Sequence, residues 1–310
     1  MIKTLSAALA LLGTTALAPA LAADEEAAPL TIEEATQGAS NVAIWKTGDQ
    51  DTTVYLMGTI HILKPGLEWE SDTFKAAWDE ADTAYFEADV ISPEAQQAAA
   101  PVVMSEAIYT DGTQFADLFS AEEAERINEG LAPYGTTVSS LNNMRPWFVS
   151  IQIAQLALSK AGGDPAAGIE MILGQRAVIE GKDLAYFETM TDQINMIASI
   201  DDEVWATAIV EGIDELENVE AYFAELIGLW YHGKADELAD TLLESWDETP
   251  SLKTTLLDDR NKAWADELDR AIKEDEGVIF VAVGAGHLAG ENSVQDYLEG
   301  LGHEIERVNP

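Results

Sequence analysis

The sequence predicts an α/β fold, a mixed central sheet interrupted by helical insertions. Three observations predict it. Residues 53–57 and 83–87 are short β-rich runs flanking an amphipathic stretch at 72–82, the strand–helix–strand spacing of a parallel crossover unit. Residues 278–283 form an apolar run of the buried-strand kind that ends at Gly284. The stretches 93–181 and 192–276 have helical character, and no Pro/Gly/Ser-rich linker divides them, so one domain is the economical reading.

In chain order, Met1-Ile2-Lys3 is a positive start, 5–18 is apolar, and Pro19 precedes Ala20-Leu21-Ala22. This is the layout of a secretory signal peptide over 1–22 with an A-x-A cleavage site, the alternative being an uncleaved signal anchor. The apolar run falls short of the about 20 residues that span a bilayer. The expectation is a bacterial protein, periplasmic or secreted, with no membrane anchor in its mature form. There is no cysteine, which excludes a disulfide framework and a lipid-anchored N-terminus. Residues 23–39 are small and acidic, a flexible lead-in to a domain over 40–310.

Within that domain, 42–57 reads as a hairpin turning at 49–51. In 72–82, Phe74, Ala77, Trp78 and Ala81 share one helical face, with Ser71 or Asp72 as the cap. Pro146-Trp147-Phe148 opens a segment in which Ile151, Ile153, Leu156 and Leu158 cover nearly every face, so burial is expected. A helix over 165–180 stops at Gly181, and 183–188 is again a strand. The helices of 192–276 carry Trp205, Phe223, Trp230, Trp246 and Trp264. A helix at 293–301 and a strand at 304–308 close the chain.

Composition narrows the function classes. The 57 Asp and Glu outnumber the 16 Lys and Arg, giving a formal net charge of −41. A field of that sign repels nucleic acid and anionic membranes, and no basic stripe reverses it. With 47% hydrophobic residues the chain escapes the disorder signature that acidity alone would suggest.

Two echoes run through the sequence. Strand-Gly-x-x-His occurs at 55–61, ending in His61, and at 281–287, ending in His287; Ala-Tyr-Phe-Glu occurs at 84–87 and 185–188. The order His, Glu, Glu, His suits pseudo-duplicated halves with one site between them. Functional groups of α/β sheets collect at the carboxyl ends of strands, where His61, His287, Glu87 and Glu188 all fall. Two imidazoles with one or two carboxylates suit a first-row divalent ion, Mn, Co or Zn, with a spare carboxylate as general base. The plainer alternative makes the glutamates ion-pair partners and the histidines satisfied structural residues. Arg260, scarce positive charge in an acidic stretch, is either an anion-stabilising group or one half of a helix-surface pair. Gly300-Leu301-Gly302-His303 repeats the pattern at a helix end and reads as turn chemistry. His232 and Arg145 read as helix-end residues.

These residues resemble the TraB/GumN family, whose animal relatives include the Tiki membrane-anchored proteases. The resemblance spans about 40–308. It rests on Ile44-Trp45-Lys46, Gly58-Thr59-Ile60-His61, Phe86-Glu87, Arg145-Pro146-Trp147, Gly168-Ile169-Glu170, Phe187-Glu188-Thr189, Asp259-Arg260-Asn261 with Trp264, and Gly284-Ala285-Gly286-His287. It implies an erythromycin-esterase/ChaN-like fold and a divalent-metal-dependent hydrolase, a metalloprotease-like enzyme acting on a peptide or small-molecule substrate. It also implies a site of His61, Glu87 and His287 as metal ligands, supported by Glu188 and Arg260. Position 170 is Glu where many members have Asp, and 145 is Arg where Lys is common. A second reading is a non-catalytic periplasmic haem- or metal-binding protein, and a third an interaction scaffold.

Overall fold

The computed structural model describes residues 30–243 and 250–309. The expected signal peptide, the first part of the lead-in and Trp246 lie outside them. Among the described residues, no helix is long and apolar enough to cross a membrane. Six strands make one mixed sheet: β1 (Ile44–Gly48), β2 (Thr52–Thr59), β3 (Thr83–Ala88), β4 (Asp183–Glu188), β5 (Gly277–Gly284) and β6 (Glu306–Arg307). Their spatial order is β4-β3-β5-β2-β1-β6. β1 and β2 form the expected hairpin, with Ile44 opposite Met57 and Gly48 opposite Thr53. β2, β5, β3 and β4 run parallel. β5 arrives late in the chain yet lies between β2 and β3, a place that suits a run apolar on both sides.

The helices are α1 (Ile32–Ala35), α2 (Asp72–Glu80), α3 (Pro93–Glu106), α4 (Ala121–Leu131), α5 (Pro146–Lys160), α6 (Ile169–Glu180) and α7 (Met190–Ala198). They continue as α8 (Asp202–Gly212), α9 (Val219–Tyr231), α10 (Ala235–Leu243), α11 (Pro250–Lys253), α12 (Asp259–Glu274) and α13 (Val294–Gly300). Ser71 caps α2 by accepting from the Phe74 N–H at 3.1 Å. Alternate residues of the central strands face opposite ways. Tyr55, Met57, Phe280 and Ala282 pack with Phe74 and Trp78 of α2. Val54, Leu56, Ile279 and Val281 pack with Trp264 and Leu268 of α12 and Leu298 of α13. The sheet is therefore covered on both faces. The helical insertions have a further core in which Ala99, Trp147, Ile194, Trp205, Leu252 and Leu256 meet.

Several local expectations are revised. Residues 30–39 include α1, whose capping box pairs Thr31 with Glu34 and which packs buried Ile32 against α9. In α5, Ile153 and Leu158 are buried but Leu156 is exposed, because it falls just outside the buried arc that runs from Val149 through Ile153 and Ala157 to Leu158. The helix expected over 165–180 breaks at Gly168, leaving a 3₁₀ turn (Pro165–Ala167) before α6. The last strand shrinks to the two residues that reach β1. The paired echoes are neighbours in the sheet, yet each is one residue out of step. Gly58 lies beside Val283 and Thr59 beside Gly284, while Phe86 lies beside Tyr186 and Ala88 beside Glu188. A duplication of halves is not established by this arrangement.

Candidate functional site

The chain leaving β3 runs to β4 at one edge of the sheet, and the chain leaving its neighbour β5 runs towards β6 at the other. Such a divergence opens a crevice at the carboxyl ends of the strands. His61 follows β2, Glu87 lies near the end of β3, Glu188 ends β4, and His287 sits in the 3₁₀ turn (Ala285–Leu288) after β5. The structure brings all four together around Arg260 in the first turn of α12. The two Gly-x-x-His loops approach closely at Gly58, where a Cβ would lie 2.9 Å from the Ala285 Cα.

Arg260 is the hub. Its Nε donates to Glu188 Oε1 at 2.7 Å, and Nη2 donates to Glu87 Oε2 at 2.6 Å and Glu188 Oε2 at 3.1 Å. Nη1 donates to the Leu256 carbonyl and to His287 Nε2, both at 3.0 Å. A guanidinium has five N–H donors, and all five are engaged. Arg260 therefore has no donor spare for an oxyanion, and its charge is spent holding two carboxylates. The Trp264 ring lies 4.6 Å beneath it, and the same indole donates to Glu188 Oε1 at 3.2 Å.

The two histidines are fixed differently. His61 Nδ1 lies 2.9 Å from Glu170 Oε2, and its Nε2 lies 3.9 Å from Glu87 Oε1. Thr59 donates its hydroxyl to the other Glu170 oxygen. The side chain of His61 is 20% exposed against 1% for His287, so His61 forms the open wall of the cluster. His287 Nδ1 meets Asn261 Oδ1 at 2.5 Å, and the Asn261 amide nitrogen donates to the Asn292 carbonyl.

Burial and charge set the protonation states. Burial would lower the His61 pKa, but the Glu170 carboxylate reverses this and raises it. Burial works against ionisation of Glu87, yet Arg260 holds its pKa down at about 2. His287 is brought down to about 3, chiefly by burial, and is neutral near pH 7. Glu87 also accepts from the Gly284 N–H at 2.7 Å and from Gln193 of α7 at 3.3 Å.

Sequence reasoning missed Glu170 and Asn261 as members of the site. Both are polar residues in buried helical turns, and both fall in segments that carry the family resemblance, Gly168-Ile169-Glu170 and Asp259-Arg260-Asn261. Gly168 explains how Glu170 arrives. A Cβ there would lie 2.1 Å from the His61 carbonyl oxygen, so only glycine lets α6 begin against the His61 loop. Gly168→Ala is expected to cost about 1–3 kcal/mol of stability, because backbone must move, and to lower whatever binding His61 supports. Urea unfolding checks the first and titration of a His61 ligand the second. The other singled-out residues lie elsewhere. Arg145 pairs with Asp202 at 2.9 Å, His232 Nε2 meets the Ala35 carbonyl at 3.0 Å, and His303 meets Asp269 at 2.8 Å.

The expected metal set is His61, Glu87 and His287. Glu87 Oε1 lies 3.9 Å from His61 Nε2 and 3.6 Å from His287 Nε2. Donors about 2.0–2.1 Å from a tetrahedral ion are separated by roughly 3.3 Å, so the spacing is near but wide. His287 Nδ1 is hydrogen-bonded to Asn261 Oδ1 and His61 Nδ1 stands 2.9 Å from Glu170 Oε2, so each ring has an oxygen on the side where outer-sphere partners orient a ligating imidazole. His287 nonetheless departs from the set, since its Nε2 lone pair already accepts from Arg260. Among the described residues no group of three or more His, Asp or Glu side chains is arranged to hold a metal ion. Arg260 leaves two of the expected donor atoms unengaged, His61 Nε2 and Glu87 Oε1, 3.9 Å apart.

No curated protein matches the chain, and no solved structure does. The TraB/PrgY/gumN family model matches residues 43–307, which takes in β1 to β6 and every residue of the cluster, and the chain belongs to that family.

Proposed function

We propose that this chain is an exported, divalent-metal-dependent hydrolase acting on the carbonyl of a peptide or small-molecule substrate at the carboxyl end of its sheet. One observation carries the reading. Among the described residues, the buried acidic and basic side chains, Glu87, Glu170, Arg260 and His287, all belong to this one cluster. Burying charge is costly and contributes little that apolar packing would not, so its concentration beside a half-open imidazole marks a working site.

The charge balance supports a cation. With His61 neutral, as an ion on its Nε2 requires, three carboxylates against one guanidinium leave a formal charge of −2, which a divalent ion matches. Such an ion, when bound, would polarise a scissile carbonyl and acidify water. The chain's own residues orient it. His61 Nε2 and Glu87 Oε1 are the donors offered to the open side, and Glu170 sets the orientation of the imidazole. Arg260 keeps Glu87 ionised, and Glu188, both of whose oxygens accept from Arg260, anchors the guanidinium.

The test uses chain beginning at Ala23, stripped of metal and assayed on peptide and ester panels with Mn²⁺, Co²⁺ or Zn²⁺. Turnover is expected with at least one ion, and His61→Ala should lower kcat/KM by about 10²–10⁴. Unchanged turnover in His61→Ala ends the reading. Haem or metal binding without turnover across the panels favours the non-catalytic alternative. Export is checked separately by N-terminal sequencing of the periplasmic and medium fractions, expected to begin at Ala23.

A further inference from the structure

We infer that the two Gly-x-x-His histidines are chemically unequal: His61 meets the ion or substrate, and His287 is a positioning residue locked as its Nδ1–H tautomer. The inference deepens the hydrolase reading and rests on it for the identity of the site, but its own geometry is independent of any bound ion.

The hydrogen-bond directions leave one assignment. Arg260 carries donors and no acceptor, so His287 Nε2, 3.0 Å from Nη1, must accept. The imidazole proton then lies on Nδ1, where Asn261 Oδ1 receives it. Asn261 cannot present its nitrogen instead, because that nitrogen donates to the Asn292 carbonyl at 2.8 Å. Both nitrogens of His287 are thus used within the protein, and the ring, 1% exposed, packs 4.3 Å from Trp264. For His287 to ligate an ion, Arg260 would have to leave Nε2, and a dication would then stand beside the guanidinium. Held in place, the imidazole instead fixes Nη1, which aims Nη2 at Glu87. His61 has the complementary arrangement. Its Nδ1 faces the Glu170 carboxylate, and among the described residues no hydrogen-bonding partner occupies its Nε2.

Selective ¹⁵N-histidine labelling of the chain from Ala23 tests this, since four histidines give few signals. His287, assigned by its loss in His287→Gln, is expected to show a protonated Nδ1 and an unprotonated Nε2. Added Zn²⁺ is expected to move the His61 Nε2 resonance and leave His287 Nε2 in place. In parallel, His61→Ala should weaken Zn²⁺ binding at least tenfold. His287→Gln, whose amide offers an acceptor to Arg260 and a donor to Asn261, should change it less than about threefold. An Nε2–H tautomer at His287, a Zn²⁺-bound His287 Nε2, or a tenfold loss in His287→Gln would each overturn the inference. If Zn²⁺ moves neither ring, the metal reading fails while the tautomer still decides the role of His287.

Discussion

Replacing Arg260 with Ala is expected to lower the unfolding free energy by about 3–5 kcal/mol, the cost of leaving buried charge without its partner. The side chain is 4% exposed and is the cation closest to both Glu87 and Glu188. Without it, Glu87 would keep the Gly284 N–H and the Gln193 amide but lose the charge that holds its pKa near 2. The carboxyl would then take up a proton far more readily, and the Leu256 carbonyl and His287 Nε2 would each lose a donor. Arg260→Lys should recover part of the loss and no more, since one ammonium cannot reach all five acceptor atoms of a planar fork. The double change Arg260→Met with Glu87→Gln should cost less than the sum of the single changes, because both remove one coupled pair. Urea unfolding of Arg260→Ala, Arg260→Lys, Arg260→Met, Glu87→Gln and the double variant measures this. A loss below about 1 kcal/mol in Arg260→Ala would mean that solvent reaches the carboxylates and that the cluster is not a sealed charge network.

That network was half legible in the sequence, and the division follows the range of the interactions. His61, Glu87, Glu188 and His287 were found because a strand, its carboxyl end and the residue just beyond it are local features. Arg260 drew notice as rare positive charge among acids. Its use was not legible, because the direction of five hydrogen bonds depends on where α12, β3, β4 and the His287 turn come together. Glu170 and Asn261 escaped for the same reason: each reaches its histidine across elements far apart in the chain. The equivalence suggested by the two Gly-x-x-His echoes was misleading. The two rings meet different elements, His61 facing Glu170 of α6 and His287 facing Arg260 and Asn261 of α12, and one is partly open while the other is sealed. The strands themselves were read well, since short β-rich runs and an unbroken apolar run specify them directly. The break at Gly168 was missed because it answers to the His61 carbonyl, over 100 residues away.

Glu170→Ala is expected to weaken metal binding at His61 by 10- to 100-fold, the usual consequence of removing the outer partner of a ligating imidazole. The carboxylate stands in the first turn of α6, where a negative charge is favoured by the helix dipole. From there it accepts from Thr59 with one oxygen and faces His61 Nδ1 with the other. It therefore decides which ring nitrogen turns to the open side. Glu170→Gln keeps the shape and loses the charge, so it should fall between wild type and Glu170→Ala. Glu170→Asp tests reach. One methylene fewer draws the carboxylate back by about 1.5 Å, and a group that spans Thr59 and His61 cannot then keep both contacts. If Thr59 is retained, binding should fall as in Glu170→Ala with stability little changed. If His61 is retained, stability should fall and binding persist. Isothermal titration with Mn²⁺ or Zn²⁺, run beside urea unfolding on the same samples, separates the two. Wild-type affinity in both Glu170→Ala and Glu170→Gln would reduce Glu170 to a partner of Thr59, and the orientation of His61 would have to come from its own loop.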